Sequence, residues 1–383
     1  MKNKHLIPFS KPTYLGDENK YLAKAISNEN LAGDGLFTVK CHEWFESNIG
    51  CRKALLTTSC THAMEIAALL MDIKPGDEII MPSFTFVSTA NAFVLRGAKI
   101  IFVDIHPDTM NIDTNKVYEA ITPKTKAIVP IDYAGFSCEI HKIKQIAKEN
   151  SIHVMVDSAQ SFMSKNKTDY CGNLSELATY SFHATKNITS GGEGGLLLIN
   201  DERFIEKAEI IREKGTNRSM FLKGQVDKYS WVNIGSSYLP SELNAAYLYC
   251  QLINAEKITI SRINNWQFYY DSLVDLENKG FISLPKLNSS LKHNGHIFYF
   301  KLKNHKQRDE LLKYLISFKI SATFHYVPLH TSKAGKKYGQ FFGEDIFTTK
   351  ESERLIRLPL FHNIKHQEQD YIINKVFDFF YKR

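Results

Sequence analysis

Over roughly the first half of the chain, short apolar runs alternate with segments of helical spacing, punctuated by Gly, Pro and Asp. Cys41–Ile49 has helical spacing through Trp44, Phe45 and Ile49. Ala54–Thr57 predicts a strand, and an apolar helix follows from Ala63 to Met71. After the turn Pro75-Gly76-Asp77 come a strand at Glu78–Met81 and a helix at Phe86–Arg96. Ile100–Asp104, Ala127–Pro130, Ile152–Asp157 and Gly195–Ile199 are predicted strands, with a helix at Ile140–Glu149. Helical spacing then runs from Glu202 to Lys214 and from Ser241 to about Leu273. Such alternation implies parallel pairing with both sheet faces covered, hence a three-layer α/β domain with a mostly parallel central sheet. Ligands then belong beyond the carboxyl ends of the strands.

Past about residue 280 the rhythm changes. Phe281–Leu287, Ile297–Lys303 and Ser321–Val327 have strand character, while Asp309–Phe318 and Tyr371–Phe380 have helical spacing. This predicts a smaller α+β C-terminal domain. The division expected is a large domain over 1–260 and a small one over 261–383. No internal repeat or low-complexity tract interrupts either.

Composition narrows the class. The 383 residues are 43% hydrophobic and 23% charged, which is ordinary globular usage and enough for a full core. No apolar run is long enough to span a bilayer. Met1 to Lys11 carries Lys2, Lys4 and Lys11 but no long apolar stretch, so no secretory leader is expected. Six cysteines, with no C-x-x-C pair, disfavour a zinc site or a disulfide framework and point to a reducing cytoplasm. Net charge is +7, from 48 Lys+Arg against 41 Asp+Glu, and no basic block suggests nucleic acid. An anionic small-molecule pocket and plain surface charge both account for the surplus. No G-x-G-x-x-G follows the first strand, and there is no P-loop, G-x-S-x-G or H-E-x-x-H.

The chemistry lies in Val156-Asp157-Ser158-Ala159-Gln160 and in Ser181-Phe182-His183-Ala184-Thr185-Lys186. Asp157 ends a buried strand, where it either caps a helix or meets a cationic partner. Lys186 precedes the glycine-rich Gly191–Gly195, which permits close backbone approach. An Asp and a Lys so presented meet the needs of pyridoxal 5′-phosphate (PLP). The Lys amine links to its aldehyde, and the Asp keeps its ring nitrogen protonated. Gln160 is placed to hydrogen-bond the ring's phenolic oxygen. Cys60-Thr61-His62, at a helix start, offers N–H groups and a hydroxyl to the phosphate or is simply a cap, and Ser181 adds a hydroxyl. Phe86 either stacks on the ring or belongs to the core.

The set Asp157…Gln160, Ser181-Phe182-His183-x-x-Lys186 and Gly194-Gly195 resembles the DegT/StrS family of PLP-dependent sugar aminotransferases. The resemblance runs from Ile7 to the last predicted helix. It implies the aspartate aminotransferase-like PLP fold type I, with L-glutamate as donor and a nucleotide sugar as acceptor. Pro75–Pro82, Thr85–Phe93 and Arg212–Ser219 resemble the branch that aminates C4 of dTDP-4-keto-6-deoxyglucose. Lys186 would then be the catalytic base as well. Dehydratases of a related branch have His there.

The family also implies a homodimer with shared active sites. In many members the partner supplies an Asn from a G-x-N-x-R stretch, where this chain reads Gly235-Ser236-Ser237-Tyr238, so Ser237 is the candidate. His62 stands where the family has a small residue. Asp132 stands where the family has His, and is either a sugar contact or a core acid. His325 and Tyr326 complete the candidate substrate residues. Arg218, Lys223 and Lys228 are loose candidates for the anionic groups. A metal, nucleic acid or membrane partner is not expected. A non-catalytic PLP-binding regulator is the remote alternative.

Overall fold

The structure, a computed structural model, describes residues 6–382. Lys2 and Lys4 lie outside them. The central sheet has eight strands in the order Lys53–Thr57, Gly195–Ile199, Leu177–Ser181, His153–Asp157, Thr125–Ile128, Glu78–Pro82, Lys99–Val103 and Gly339–Phe341. Gly195–Ile199 runs antiparallel to both neighbours, and the other pairs are parallel.

The strands read as continuous apolar runs because both faces are buried. Leu56, Ile80, Val154, Val156 and Leu198 point into one core with Phe45 and Phe182. Their neighbours Leu55, Ile79, Met155 and Leu197 point into the other, with the helix Cys60–Leu70. The period-two alternation is intact, with an apolar layer on each side.

The C-terminal part packs a third cluster around Trp266, Tyr269, Phe298, Leu315, Ile372 and Val376. Its sheet is the antiparallel pair Phe298–Lys301 and Leu355–Leu358. Phe84 and Tyr133, from the carboxyl edge of the large sheet, enter this cluster and join the two regions there. The helix Ala255–Asn278 serves both: Ala255 and Ile258 pack on the sheet core, Trp266 onward on the C-terminal cluster. A division at 260/261 falls inside it.

Several elements differ from the sequence pattern. Ser241–Leu273 is two helices, Glu242–Leu252 and Ala255–Asn278. Phe281–Leu287 forms only a bridge between Ser283 and Lys301, and Pro285 has no N–H to continue a ladder. Ser321–Val327 forms only a bridge between Thr323 and Arg357 before Pro328. Gly339–Phe341, from the C-terminal part, joins the large sheet beside Lys99–Val103. No helix of the described residues is long and apolar enough to cross a membrane.

One close approach sets the start of the helix Cys60–Leu70. A Cβ on Gly195 would lie 2.3 Å from both Ser59 C and Cys60 N. Only a bare Cα lets that peptide lie on the strand. We expect Gly195→Ala to lower unfolding stability by about 1–3 kcal/mol, the usual cost of overpacking. Urea denaturation reads this directly, and an unchanged midpoint would show that the helix start yields freely.

Candidate active site

The carboxyl ends of the parallel strands open on one cavity of about 710 Å³. Its lining mixes this edge with the C-terminal part, including Thr61, Asp157, Lys186, His325, Tyr326 and Arg357. At one end Ser59 caps the helix Cys60–Leu70, its Oγ accepting from His62 N–H at 3.1 Å. The Cys60 and Thr61 N–H groups precede the first intrahelical bond and remain for a ligand. Thr61 Oγ1 donates to Ser88 Oγ at 2.9 Å, and Ser181 lines the same cavity. Cys60 also lines it. Burial and the neighbouring Asp157 charge push its thiol up to about 12, so it stays neutral.

Asp157 is 5% exposed. Its Oδ2 accepts from Thr89 Oγ1 at 2.7 Å and its Oδ1 from Ala159 N–H at 3.1 Å. Burial raises its pKa, while those two bonds and the Lys186 charge oppose the rise. Thr89 is a supporting residue that sequence reading missed, because strand pairing alone brings the two segments together. Lys186 is partly buried, and its Nζ makes no hydrogen bond or ion pair with the described residues. Burial lowers its pKa, with Arg357 adding repulsion and Cys60 and Asp157 opposing. The amine is thereby biased toward its neutral, nucleophilic form.

Gln160 Nε2 donates to Tyr326 OH at 2.9 Å, and Gln160 Oε1 accepts from Ala134 N–H at 2.8 Å. His325 stacks on Tyr326, and its Nδ1 lies 3.2 Å from Tyr133 OH. Burial holds the His325 imidazole neutral and the Tyr326 phenol protonated. Phe86 is exposed and faces the cavity, so it is not core.

Three candidates lie elsewhere. Asp132 is walled into a polar knot: its carboxylate accepts from Cys138 N–H, Ser158 Oγ and Ser161 Oγ, and it does not line the cavity. It is the core acid, satisfied by its neighbours, rather than a sugar contact. The His62 ring turns away, with Nδ1 on Thr58 Oγ1 and its face against Tyr238. Ser237 is exposed on the outer side and is not part of this cavity within one chain.

The loose cationic candidates also move. Lys223 pairs with Glu209 at 2.8 Å and Arg218 lies 3.8 Å from Glu213, both outside the cavity, as is Lys228. The cavity's cations besides Lys186 are Arg262 and Arg357, and its acids are Asp157 and Glu193. Neither arginine was singled out from sequence. Only the folding of the C-terminal part over the sheet edge brings them in.

These residues fit PLP. The helix start with Ser59, Thr61 and Ser181 suits a phosphate. Asp157 is a buried carboxylate with no ion pair among the described residues, suited to a protonated ring nitrogen. Lys186 Nζ is free to reach an aldehyde. No group of His, Cys, Asp and Glu among the described residues is arranged to hold a metal ion.

Comparison with known proteins agrees. The DegT/DnrJ/EryC1/StrS aminotransferase family matches residues 13–377. A pleiotropic regulatory protein of Geobacillus stearothermophilus is 31% identical over 319 residues, covering 83% of this chain and 82% of that one. An uncharacterised protein of Methanocaldococcus jannaschii is 30% identical over 347 residues, covering 88% and 89%. An aminotransferase from Psychrobacter cryohalolentis has the same fold, with a TM-score of 0.92 at 22% identity over 98% of this chain and 99% of that one. So has Helicobacter pylori PseC, an aminotransferase involved in the biosynthesis of pseudoaminic acid, with a TM-score of 0.89 at 24% identity over 99% and 100%.

The raised Asp157 pKa has a sign that stability measurements read. A carboxyl harder to ionise in the folded chain costs stability wherever the unfolded chain ionises it, and nothing at lower pH. We therefore expect Asp157→Asn, without added PLP, to melt higher than wild type near pH 7.5. The gap should narrow as the pH falls toward about 4. With PLP added, wild type should gain more than the variant. An Asp157→Asn protein that melts lower at neutral pH without PLP would contradict the account.

Proposed function

This chain belongs to the DegT/DnrJ/EryC1/StrS aminotransferase family, whose cofactor is PLP, and on that premise we propose its reaction. It moves the amino group of L-glutamate to C4 of dTDP-4-keto-6-deoxy-D-glucose. The product is a dTDP-4-amino-4,6-dideoxyhexose of galacto or gluco configuration, for O-antigen or another surface polysaccharide. The observation that carries the transaminase chemistry is the placing of Lys186, Asp157 and the capped helix start on one cavity. The sugar rests on sequence runs such as Pro75–Pro82, Arg212–Ser219 and Gly224–Tyr229, which resemble the dTDP-4-amino-4,6-dideoxygalactose transaminase of enterobacterial common antigen synthesis.

PLP, when bound, supplies the electron sink. The chain's own groups do the rest. The helix start and Ser181 would hold the cofactor's phosphate, and Asp157 would keep its ring nitrogen charged. Phe86 and Tyr326 line the cavity side by side, in contact at 6.3 Å between ring centroids, and offer their faces to the ring and the sugar. Lys186 Nζ takes the proton from the donor's carbon and later delivers one to C4. The face of delivery sets galacto or gluco.

Purified protein with the keto sugar, L-glutamate and PLP should give one amino sugar, whose regiochemistry and C4 configuration NMR reads. Lys186→Ala should bind PLP without the absorbance band of the lysine-linked form and turn over at least ~10³-fold more slowly, as loss of a combined nucleophile and base demands. An amino group at C3, or turnover only with a UDP- or GDP-sugar, would transfer the assignment to another member activity. PLP binding without turnover of any keto sugar would favour the regulator.

We place the enzyme in the cytoplasm as a homodimer with shared sites. All six cysteines are free and buried, in keeping with a reducing compartment. Trp231, Val232 and Ile234 are exposed apolar residues a few positions before Ser237, with Trp231 82% exposed. A patch of this kind needs a cover. Sedimentation velocity at micromolar concentration should give the dimer mass, and Trp231→Asp should shift it toward monomer. A wild-type monomer would overturn the shared site.

A further inference from the structure

Three histidines line the cavity, and their ring nitrogens are committed differently. His183 Nδ1 accepts from Thr185 N–H at 3.2 Å, which leaves the proton on Nε2, 3.5 Å from Glu193. His325 Nδ1 meets Tyr133 OH, a group that donates or accepts. His296 Nδ1 lies 2.9 Å from Asn187 Oδ1. The orientation of that amide is fixed from its other end, where Asn187 Nδ2 donates to Asn294 O at 2.9 Å. A backbone carbonyl only accepts, so Oδ1 must face His296, and His296 Nδ1 must carry the proton. Its Nε2 is then a bare lone pair, and no described residue donates to it. Burial, with the charges of Lys186, Arg262 and Arg357, holds the imidazole well below its ordinary pKa. The ring is therefore neutral near pH 7, and Nε2 is an acceptor with no partner of its own. The backbone is held as firmly: His296 N–H donates to Asn294 Oδ1 at 3.0 Å, and His296 O accepts from Arg262 Nη2 at 2.8 Å. Asn187, which orients the ring, directly follows Lys186 and is buried, with its carbonyl accepting from Thr13 Oγ1 at 2.8 Å. The lone pair is thus set close to the lysine, and Lys186 Nζ makes no hydrogen bond to it.

We propose that His296 Nε2 accepts the hydrogen bond of the hydroxyl beside the carbonyl carbon of the acceptor sugar, which makes it a specificity residue of the sugar half-reaction. This rests on the sugar aminotransferase reading above and names a contact within the same site. In dTDP-4-keto-6-deoxyglucose the reacting carbon is C4, which must come to Lys186. Its neighbour C5 carries a methyl group and the ring oxygen, and its neighbour C3 carries a hydroxyl. That hydroxyl is the hydrogen-bond donor nearest the bond being made. L-Glutamate brings no hydroxyl, and its carboxylates only accept. A bare Nε2 repels a carboxylate and pairs with an O–H, so the fixed tautomer favours the sugar over the acid. A hexose held at C3 also presents one face of C4 to Lys186.

The test is a cycle of two proteins and two sugars. Wild type and His296→Phe are each given L-glutamate, PLP and either dTDP-4-keto-6-deoxyglucose or its 3-deoxy analogue. In wild type, kcat/KM for the keto sugar should fall about 30-fold when the hydroxyl is missing, because the buried acceptor is left unpaired. In His296→Phe the two sugars should differ by less than about threefold. The single-turnover rate constant of the variant with L-glutamate should stay within about threefold of wild type. His296→Gln, whose Oε1 can stand near the place of Nε2, should recover part of the discrimination, and it stands in if the Phe variant folds poorly. Calorimetry reads the contact without turnover. The dTDP-4-amino sugar should bind PLP-loaded Lys186→Ala about tenfold more tightly than its 3-deoxy form, and adding His296→Phe should abolish the difference.

Equal discrimination by wild type and His296→Phe would overturn the proposal, since the hydroxyl is then read elsewhere. Wild type that does not distinguish the two sugars would overturn it as well. Equal losses in the glutamate and sugar halves would overturn it and make His296 a support of Lys186. If wild type turns over only another nucleotide keto sugar, the dTDP assignment falls, and the same cycle with that sugar and its deoxy form decides the role of His296. Turnover of no keto sugar would overturn both.

Discussion

Parallel pairing of His153–Asp157 with its neighbours on both sides is the constraint on which the site depends. Thr125–Ile128 lies on one side and Leu177–Ser181 on the other. Parallel strands deliver all their carboxyl ends to one edge. Asp157, Ser181 and, two strands beyond Ser181, the helix start at Ser59 therefore meet without long loops. Gly195–Ile199, the strand that runs the other way, begins where its neighbours end. Its bare Cα at Gly195 lets the Ser59–Cys60 peptide lie against it. A phosphate cradle and a carboxylate in one cavity follow from strand direction and a missing Cβ.

The same edge shows how burial assigns roles to two similar acids. Asp132 and Asp157 are linked through their backbones, with Asp132 N–H donating to Asp157 O at 3.2 Å. Both are buried and both have raised pKa values, with desolvation the leading cause. Asp132 takes three hydrogen bonds from two segments, Cys138 N–H on its own and Ser158 and Ser161 after the next strand, and ties those segments together at the sheet edge. Asp157 takes two, from Thr89 and Ala159, and keeps its remaining field for the cavity. A carboxylate whose lone pairs are spent locally is structural. One left partly unspent in a lined cavity is available for a ligand.

This contrast also marks what the sequence disclosed. The strands with unbroken β-branched or aliphatic runs, such as Lys99–Val103 and Gly195–Ile199, were legible because two apolar layers demand apolar residues at every position. Asp157 was legible because it ends such a strand, and Lys186 because it leads into the glycine-rich Gly191–Gly195. Asp132 was ambiguous because a strand-end acid reads alike whether it faces a ligand or a loop. Gly339–Phe341 was not legible, since its short ladder to Lys99–Val103 is set by contacts far along the chain. Ser321–Val327 had strand composition but makes only one bridge. It carries His325 and Tyr326 to the cavity instead of extending a ladder. Arg357 was invisible for the same reason, since its cavity is assembled from both ends of the chain.

The charge surplus is settled in part by these observations. Net charge says little about where a field acts, because exposed cations are screened within about 10 Å at ordinary salt. Lys223 and Arg218 sit near acids on the surface, and their contribution at the cavity is small. Arg262 and Arg357 are few, but they act from low-dielectric walls. Burial lowers Arg262 to about 10 and lowers Arg357 as well, which measures how poorly the protein itself solvates them. Three backbone carbonyls compensate Arg262, and one, Phe324 O, compensates Arg357. The cavity wall thus carries poorly solvated cations, which favour an anionic group beside them. A neutral sugar ring relieves none of that desolvation, and must be held by hydroxyl contacts and by aromatic faces such as Phe86 and Tyr326.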